Sequence, residues 1–147
     1  MALETVLLVG RPGDEGHGTK LAEAATDIAK PANARVIVGQ IFTDEEYDNA
    51  LASLGLADET GDLSAEIARE HGTFSSMTAE LDEAGVDYEL RTAVGQHASS
   101  IVDMAADADL LIIGGAKRSP AGKAVFGSAT QDVLLEAPCP VVFVRRE

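Results

Sequence analysis

The feature that most constrains this chain is a regular alternation between two kinds of hydrophobic pattern. Five short runs rich in Val, Ile and Leu are typical of β-strands, and three of them are almost continuously apolar, as parallel strands covered on both faces are. The runs are 5–10, 35–42, 86–94, 108–115 and 140–146. Because each interval between them contains apolar residues at helical spacing, the order β-α-β-α-β-α-β-α-β predicts a doubly wound α/β fold, with an open parallel five-stranded sheet and helices on both faces.

The helical intervals differ in length. Apolar residues at i, i+3, i+4 and i+7 begin at Leu21 and again at Ala98, and the last helix begins near Phe126. A single longer helix is predicted over 63–84, ended by a glycine. The preceding segment 43–62 is an acidic connection with room for one short helix.

Length and charge limit the classes of function. The 147 residues predict one domain, 1–147, and 25 acidic against 11 basic residues give a net charge of -14. An acidic surface repels nucleic acid and anionic membranes, so neither is an expected partner. The N-terminus lacks a basic segment typical of a secretion signal, so the expected location is the cytoplasm. The acidic excess with only four lysines predicts a halophilic protein from a salt-rich cytoplasm.

Cysteine and histidine give little sign of a metal or a disulfide. Cys139 is the single cysteine, which excludes an internal disulfide and favours a role as a small buried side chain. His71 and His97 are far apart in the sequence, and neither has a Cys or Asp neighbour at ligand spacing. We therefore expect no metal site.

Two glycine-rich segments follow predicted strands, "GRPGDEGHG" at 10–18 and "GGAKRSPAGKAVFGS" at 114–128. In a doubly wound sheet, ligands bind beyond the carboxyl ends of the strands, where the strand order reverses. Glycine lets the backbone approach a ligand closely, and backbone N–H groups beside a helix N-terminus bind anions. The second segment therefore predicts a phosphate site, with simple turns as the alternative interpretation.

The C-terminal half resembles the universal stress protein family. That family's phosphate loop runs Gly, two residues, Gly, nine residues, Gly, then Ser or Thr, and Gly114, Gly127 and Ser128 match three of these marks. Lys117 stands at the second glycine, and Gly10 or Arg11 stands where nucleotide-binding members carry Asp. The resemblance implies strand order 3-2-1-4-5, an adenine-nucleotide alpha hydrolase-like fold, and a small regulatory module that binds ATP, as Mg-ATP, or another adenine nucleotide.

The resemblance also implies roles for individual residues. The implied contacts to ribose or base are made by Gly10 and Arg11, and those to adenine by Ile41. The phosphate loop would begin at Ile113 and Gly114, and the phosphates would be held by Gly127, Ser128, Ala129 and Thr130. Their charge would be neutralised by Lys117, Arg118 and Lys123, for which a solvated basic patch is the alternative.

Two other functions compete with nucleotide binding by a regulatory protein. Family members dimerise by pairing the last strand, 140–146 here, so a dimerisation module without nucleotide is one alternative. The second is a nucleotidyltransferase-like enzyme, because His17 sits in a loop similar to a His-x-Gly-His motif. Asp14 occupies the place of the first histidine, however, and no residue is positioned as a general base, so we expect a binding protein, with slow ATP hydrolysis or self-phosphorylation as an open alternative.

Overall fold

Five parallel strands in the order β3-β2-β1-β4-β5 form one sheet, which confirms the predicted fold class and strand order. The computed structural model describes residues 3–11, 14, 16–70, 72–115 and 128–145. The strands are β1 Thr5–Gly10, β2 Arg35–Phe42, β3 Tyr88–Val94, β4 Leu110–Gly115 and β5 Val141–Arg145. The α-helices are α1 Gly18–Ala32, α2 Asp44–Ser53, α3 Ser64–Arg69, α4 Gly72–Glu83, α5 His97–Met104 and α6 Ser128–Glu136.

The hydrophobic core lies on both faces of the central strand β1, whose six residues are all buried. Val6 and Leu8 pack with side chains of α1 and α4 on one face. Leu7 and Val9 pack with side chains of α5 and α6 on the other face. This alternation follows from the period of two along a strand, and it explains why β1 is apolar at nearly every position.

The predicted long helix over 63–84 is wrong, because the structure has two helices there. α3 ends where Glu70 N–H donates to Ile67 O at 3.2 Å, a tight final turn. α3 packs on β3, and Ile67 joins a small cluster with Phe42, whereas α4 packs along α1. The two helices therefore follow different packing partners, which a periodicity along the chain does not reveal. The short helix expected in 43–62 is confirmed as α2.

The strand order reverses between β1 and β4. From β1 the chain builds outward through β2 to β3, then returns to place β4 on the other side of β1. Val9 pairs with Ile113, so the carboxyl ends of these two strands meet at Gly10 and Gly114. In such folds this point is the usual location of a ligand. No helix within the described residues is long and apolar enough to cross a membrane.

Candidate functional site

Arg11 joins the carboxyl ends of β1 and β4 to helix α6. Its Nη1 donates to Thr130 Oγ1 at 2.7 Å and to the carbonyl of Gly114 at 3.4 Å. Thr130 lies in the first turn of α6 and is 2% exposed. The structure therefore brings together four of the residues that the sequence indicates, since Gly10 directly precedes Arg11 at the end of β1.

Asp14 fixes the turn that follows β1. Its Oδ2 accepts the Arg11 N–H at 2.7 Å, and its own N–H donates to Arg11 O at 3.0 Å. The His17 N–H donates to Asp14 O at 2.8 Å and extends this turn to the start of α1. Asp14 is fully buried. The sequence pattern identifies Asp14 only as the residue at the first histidine of a His-x-Gly-His motif. Asp in a Gly/Pro-rich segment is nevertheless a common turn former.

Gly114 is required by the close approach of Asp14. A Cβ at position 114 would lie 2.6 Å from Asp14 Oδ1, closer than real contacts allow, and 3.3 Å from Leu21 Cδ2. The first glycine of the loop therefore accommodates a buried carboxylate against the strand. This contact between residues 100 apart in sequence gives Gly114 a structural role in addition to any ligand contact.

Ile41 and Ile113 both lie in the hydrophobic core, on the face of the sheet that α5 covers. They are 2% and 0% exposed, and their side chains pack against other apolar side chains rather than among the polar groups around Arg11. Ser128 and Ala129 lie in the first turn of α6, next to Thr130. The predicted positions Lys117, Arg118, Lys123 and Gly127 lie outside the described residues.

A second polar contact at the same end of the sheet joins the start of α2 to the start of α5. His97 Nε2 lies 2.8 Å from Glu46 Oε1. The same oxygen accepts the Thr43 N–H at 2.8 Å, while Thr43 Oγ1 accepts the Glu46 N–H at 3.1 Å. This reciprocal pair is a capping box, and its T-x-x-E signature is readable in the sequence. The contact between His97 and Glu46 cannot be read from the sequence, because the two residues are 51 positions apart.

The pKa of Glu46 is held below its usual value. Burial raises it, but the hydrogen bond from the Thr43 backbone, the hydrogen bond and charge of His97, and the Thr43 side chain together outweigh burial. Glu46 thus favours its ionised form, as a carboxylate at a helix N-terminus does. The described residues contain no group of three or more His, Cys, Asp and Glu side chains able to hold a metal ion.

Comparison with known proteins identifies the family. The model of the universal stress protein family matches residues 6–145. The chain belongs to that family. A universal stress protein from Mycolicibacterium smegmatis is 40% identical over 86 residues, which make up 56% of this chain and 65% of the relative. The match thus covers less than two thirds of that relative's length.

Solved structures of universal stress proteins share the fold. One, solved in complex with cAMP, has a TM-score of 0.65 at 21% identity, with 100% of both chains covered. Another, from Archaeoglobus fulgidus in complex with dAMP, has a TM-score of 0.64 at 23% identity, with 98% of this chain and 99% of that chain covered. At this identity the likeness establishes the architecture of the universal stress protein fold for this chain.

In this universal stress protein, β5 lies at one edge of the sheet, as the resemblance implies. The side chains of its four apolar residues, 141–144, are half-buried. A Cβ on Gly115 of β4 would overlap the ring of Phe143, so glycine at 115 leaves the space that this ring occupies against the neighbouring strand. The β5 edge is therefore apolar, and its Phe143 side chain packs closely against β4.

Proposed function

We propose that this universal stress protein binds an adenine nucleotide at the carboxyl ends of β1 and β4 and acts as a regulatory module in the cytoplasm. One observation carries the proposal. Arg11 contacts Gly114 and Thr130 at the point where the strand order reverses, so a cation, a glycine backbone and a helix N-terminus converge there. The complexes of relatives with cAMP and dAMP support adenine nucleotides as the class of ligand.

Each part of this arrangement suits a phosphate. Guanidinium groups bind phosphate oxygens in pairs, and the first N–H groups of a helix lack intrahelical partners. In our proposal Gly10 and Arg11 lie near the ribose, the adenine lies at the carboxyl end of β2, where Ile41 contributes backbone rather than its buried side chain, and Ile113 and Gly114 begin the phosphate loop. The triphosphate of Mg-ATP lies at α6, held at Gly127, Ser128, Ala129 and Thr130, with Lys117 and Arg118 neutralising its charge.

Two measurements test nucleotide binding. Denaturing freshly purified protein and analysing the supernatant by mass spectrometry should release adenosine phosphates. Titration calorimetry of nucleotide-free protein with Mg-ATP in high KCl should then show binding, and Gly114→Ala should abolish it because the added Cβ displaces the Asp14 carboxylate. Ala52→Ser is the control, since Ala52 is exposed on α2. Absence of both nucleotide and heat would overturn the proposal.

A binding role rather than catalysis is supported by the surroundings of Asp14. Its carboxylate is buried against Gly114 and already accepts the Arg11 N–H, so it is poorly placed to take a proton from a substrate. We expect at most slow turnover of ATP under conditions that saturate binding, measured as phosphate release. Transfer of AMP to an acceptor would instead favour the nucleotidyltransferase alternative.

Homodimerisation through β5 is the second part of the proposal. The observation that favours it is the apolar edge at 141–144, which is only half-buried. Pairing with the same strand of a second chain would satisfy the open backbone groups of the edge and cover these side chains around a two-fold axis. This assembly does not depend on nucleotide, so it is also the basis of the alternative in which the chain is a dimerisation module.

A further inference from the structure

One row of residues crosses strands β1, β2 and β3 near their carboxyl ends. In the register of the sheet Gly10 pairs with Gln40, and Gln40 pairs with Thr92. Paired residues of parallel strands lie on the same face, and Val38, two residues before Gln40, belongs to the cluster that α1 and α4 cover. Gln40 therefore lies on that face, beside the last residue of the strand from which the strand order reverses.

The hydroxyl group of this row is paired within the protein. Thr92 Oγ1 lies 2.6 Å from Ser64 Oγ, and Ser64 Oγ donates to Asp62 Oδ1 at 2.7 Å. Because Ser64 has a single hydroxyl proton, which it gives to the carboxylate, the Thr92 hydroxyl donates to Ser64. The donors of Thr92 and Ser64 are thus both satisfied by side chains of the fold.

The amide of Gln40 has no such partner. The residue is only 4% exposed, yet its Nε2 donates to no group in the described part of the chain. Gly10 on one side has no side chain, and the Thr92 hydroxyl on the other side donates to Ser64. Buried donors are nearly always paired in folded proteins, because leaving one unsatisfied is costly. At this end of the sheet, where ligands bind, a ligand supplies the missing acceptor.

We propose that the Gln40 amide binds a ribose hydroxyl of the nucleotide and makes the site select ribonucleotides over deoxyribonucleotides. A primary amide both donates and accepts hydrogen bonds, and a hydroxyl group does the same, so the two are complementary. In the proposed arrangement the ribose lies near Gly10, which is the neighbour of Gln40 on β1.

The expected selectivity follows from the burial of this amide. A site whose buried polar group pairs with a ligand hydroxyl discriminates against the analogue that lacks it, because the polar group is then left unpaired. This inference rests on the proposed adenine-nucleotide function and adds the residue that determines the choice of sugar.

Calorimetric titration of the full chain with AMP, 2′-deoxy-AMP and 3′-deoxy-AMP tests the inference. The wild-type chain should bind AMP about three- to tenfold more tightly than one of the deoxy forms, as expected for one neutral hydrogen bond. Gln40→Met replaces the amide by an unbranched apolar side chain. It should lower the AMP affinity to that of this deoxy form and leave the affinity for the deoxy form unchanged.

Chemical denaturation of the nucleotide-free chain separates a ligand contact from a structural role. Gln40→Met should raise the urea concentration at the midpoint of unfolding or leave it unchanged, because it removes an unpaired buried amide. Thr92→Val is the matched control, since Thr92 is the neighbour of Gln40 but its hydroxyl is paired within the protein. It should lower this midpoint and keep the wild-type ratio of AMP affinity to deoxy-AMP affinity.

The outcomes separate this inference from the function on which it rests. If the wild-type chain binds none of the three ligands, the proposed nucleotide function itself is overturned. If it binds all three equally, nucleotide binding stands and the role of Gln40 is overturned, whatever the variants do. A Gln40→Met chain that is less stable without nucleotide, or that loses the same factor in affinity for all three ligands, also contradicts the inference, because Gln40 would then only support the fold.

Discussion

The two edges of the sheet are built from opposite kinds of side chain. At one edge, β5 carries four consecutive apolar residues, 141–144, that are half-buried. At the other edge, β3 alternates apolar residues with Glu89 and Arg91. A free strand edge invites pairing with another chain, and charged side chains on it prevent that pairing. The difference supports the proposal that β5, rather than β3, pairs with a second chain.

Ion pairs cover the β3 edge. Glu89 Oε1 lies 3.3 Å from Arg35 Nη1 and 3.7 Å from Arg91 Nη2, and Arg91 Nη1 lies 3.1 Å from Asp107 Oδ1. About half of the Glu89 and Arg35 side chains is exposed, so each pair contributes about 1 kcal/mol or less to stability. Their larger effect is on association, because a strand added at this edge would have to remove these charges from water.

The largest expected effect comes from placing a charge on the apolar edge. Val142→Lys should convert the proposed dimer to a monomer, because the ammonium would be covered without a partner at a half-buried apolar position when the two edges pair. Multi-angle light scattering across a concentration series measures the mass. Val94→Lys is the matched control, since Val94 is 37% exposed at the end of the opposite edge strand and should leave the mass unchanged. A dimeric Val142→Lys protein would place the interface elsewhere.

A smaller effect is expected beneath the same edge. Gly115→Ala should destabilise the protein by roughly 1–3 kcal/mol, because the new methyl group overlaps the Phe143 ring and forces overpacking. Chemical denaturation measures the loss. The double variant Gly115→Ala with Phe143→Leu should recover part of the stability, since the shorter side chain leaves space for the methyl group. Additive losses in the double variant would contradict this cause.

The charged edge provides the converse test, with a weaker effect. Replacing both Glu89 and Arg91 by Val should give β3 the apolar character of β5 and produce association beyond the dimer at high protein concentration. Exchanging the two charges, Glu89→Arg with Arg91→Glu, keeps the edge polar and should therefore not produce this association. Sedimentation velocity distinguishes the species. If the valine variant keeps the wild-type mass at all concentrations, the charges are not what protects this edge.

The same contrast explains how far the sequence predicts the structure. β1 and β2 match the predicted bounds, since buried strands are apolar along their whole length. β4 begins two residues later than predicted, at Leu110, although the Asp109 N–H already donates to Thr5 O at 2.9 Å and the Asp109 carboxylate accepts the N–H groups of Glu4 and Thr5 at 3.0 Å. The bounds of a strand with polar residues at its end or at a sheet edge depend on contacts with residues that are distant in the sequence. The periodicity of apolar residues does not reveal those contacts.

The candidate site shows the same limit. Spacing in the glycine-rich loop indicates Gly114 and the first turn of α6, because those positions belong to a local pattern. The contacts of Arg11 with Thr130 and of Asp14 with Gly114 join residues about 100 or more apart, so they depend on the folded sheet. The break between α3 and α4 also depends on tertiary packing, since neither Phe42 nor β3 is a sequence neighbour of α3.

The smallest effect concerns the polar contacts on the β3 side of the sheet. Because the pKa of Glu46 is lower in the folded chain than in the unfolded one, the folded state binds fewer protons near this pKa. The stabilisation is therefore fully present above the unfolded pKa, about 4.3, and is lost as the pH falls through the lower folded value. The pair is partly exposed, so we expect about 1 kcal/mol or less.

Denaturation of wild-type protein and Glu46→Gln from pH 7 to pH 3 measures this contribution. The difference in unfolding free energy between them should shrink as the pH falls below about 4.3, since protonation makes the wild-type side chain neutral like the glutamine. Glu45→Gln is the control, because Glu45 is an exposed neighbour on the same helix. A difference that is independent of pH would show that Glu46 acts through packing. In that case the free energy of unfolding would depend on buried area on both sides of the sheet. The difference between the polar β3 side and the apolar β5 side would then affect only how the protein associates with other chains.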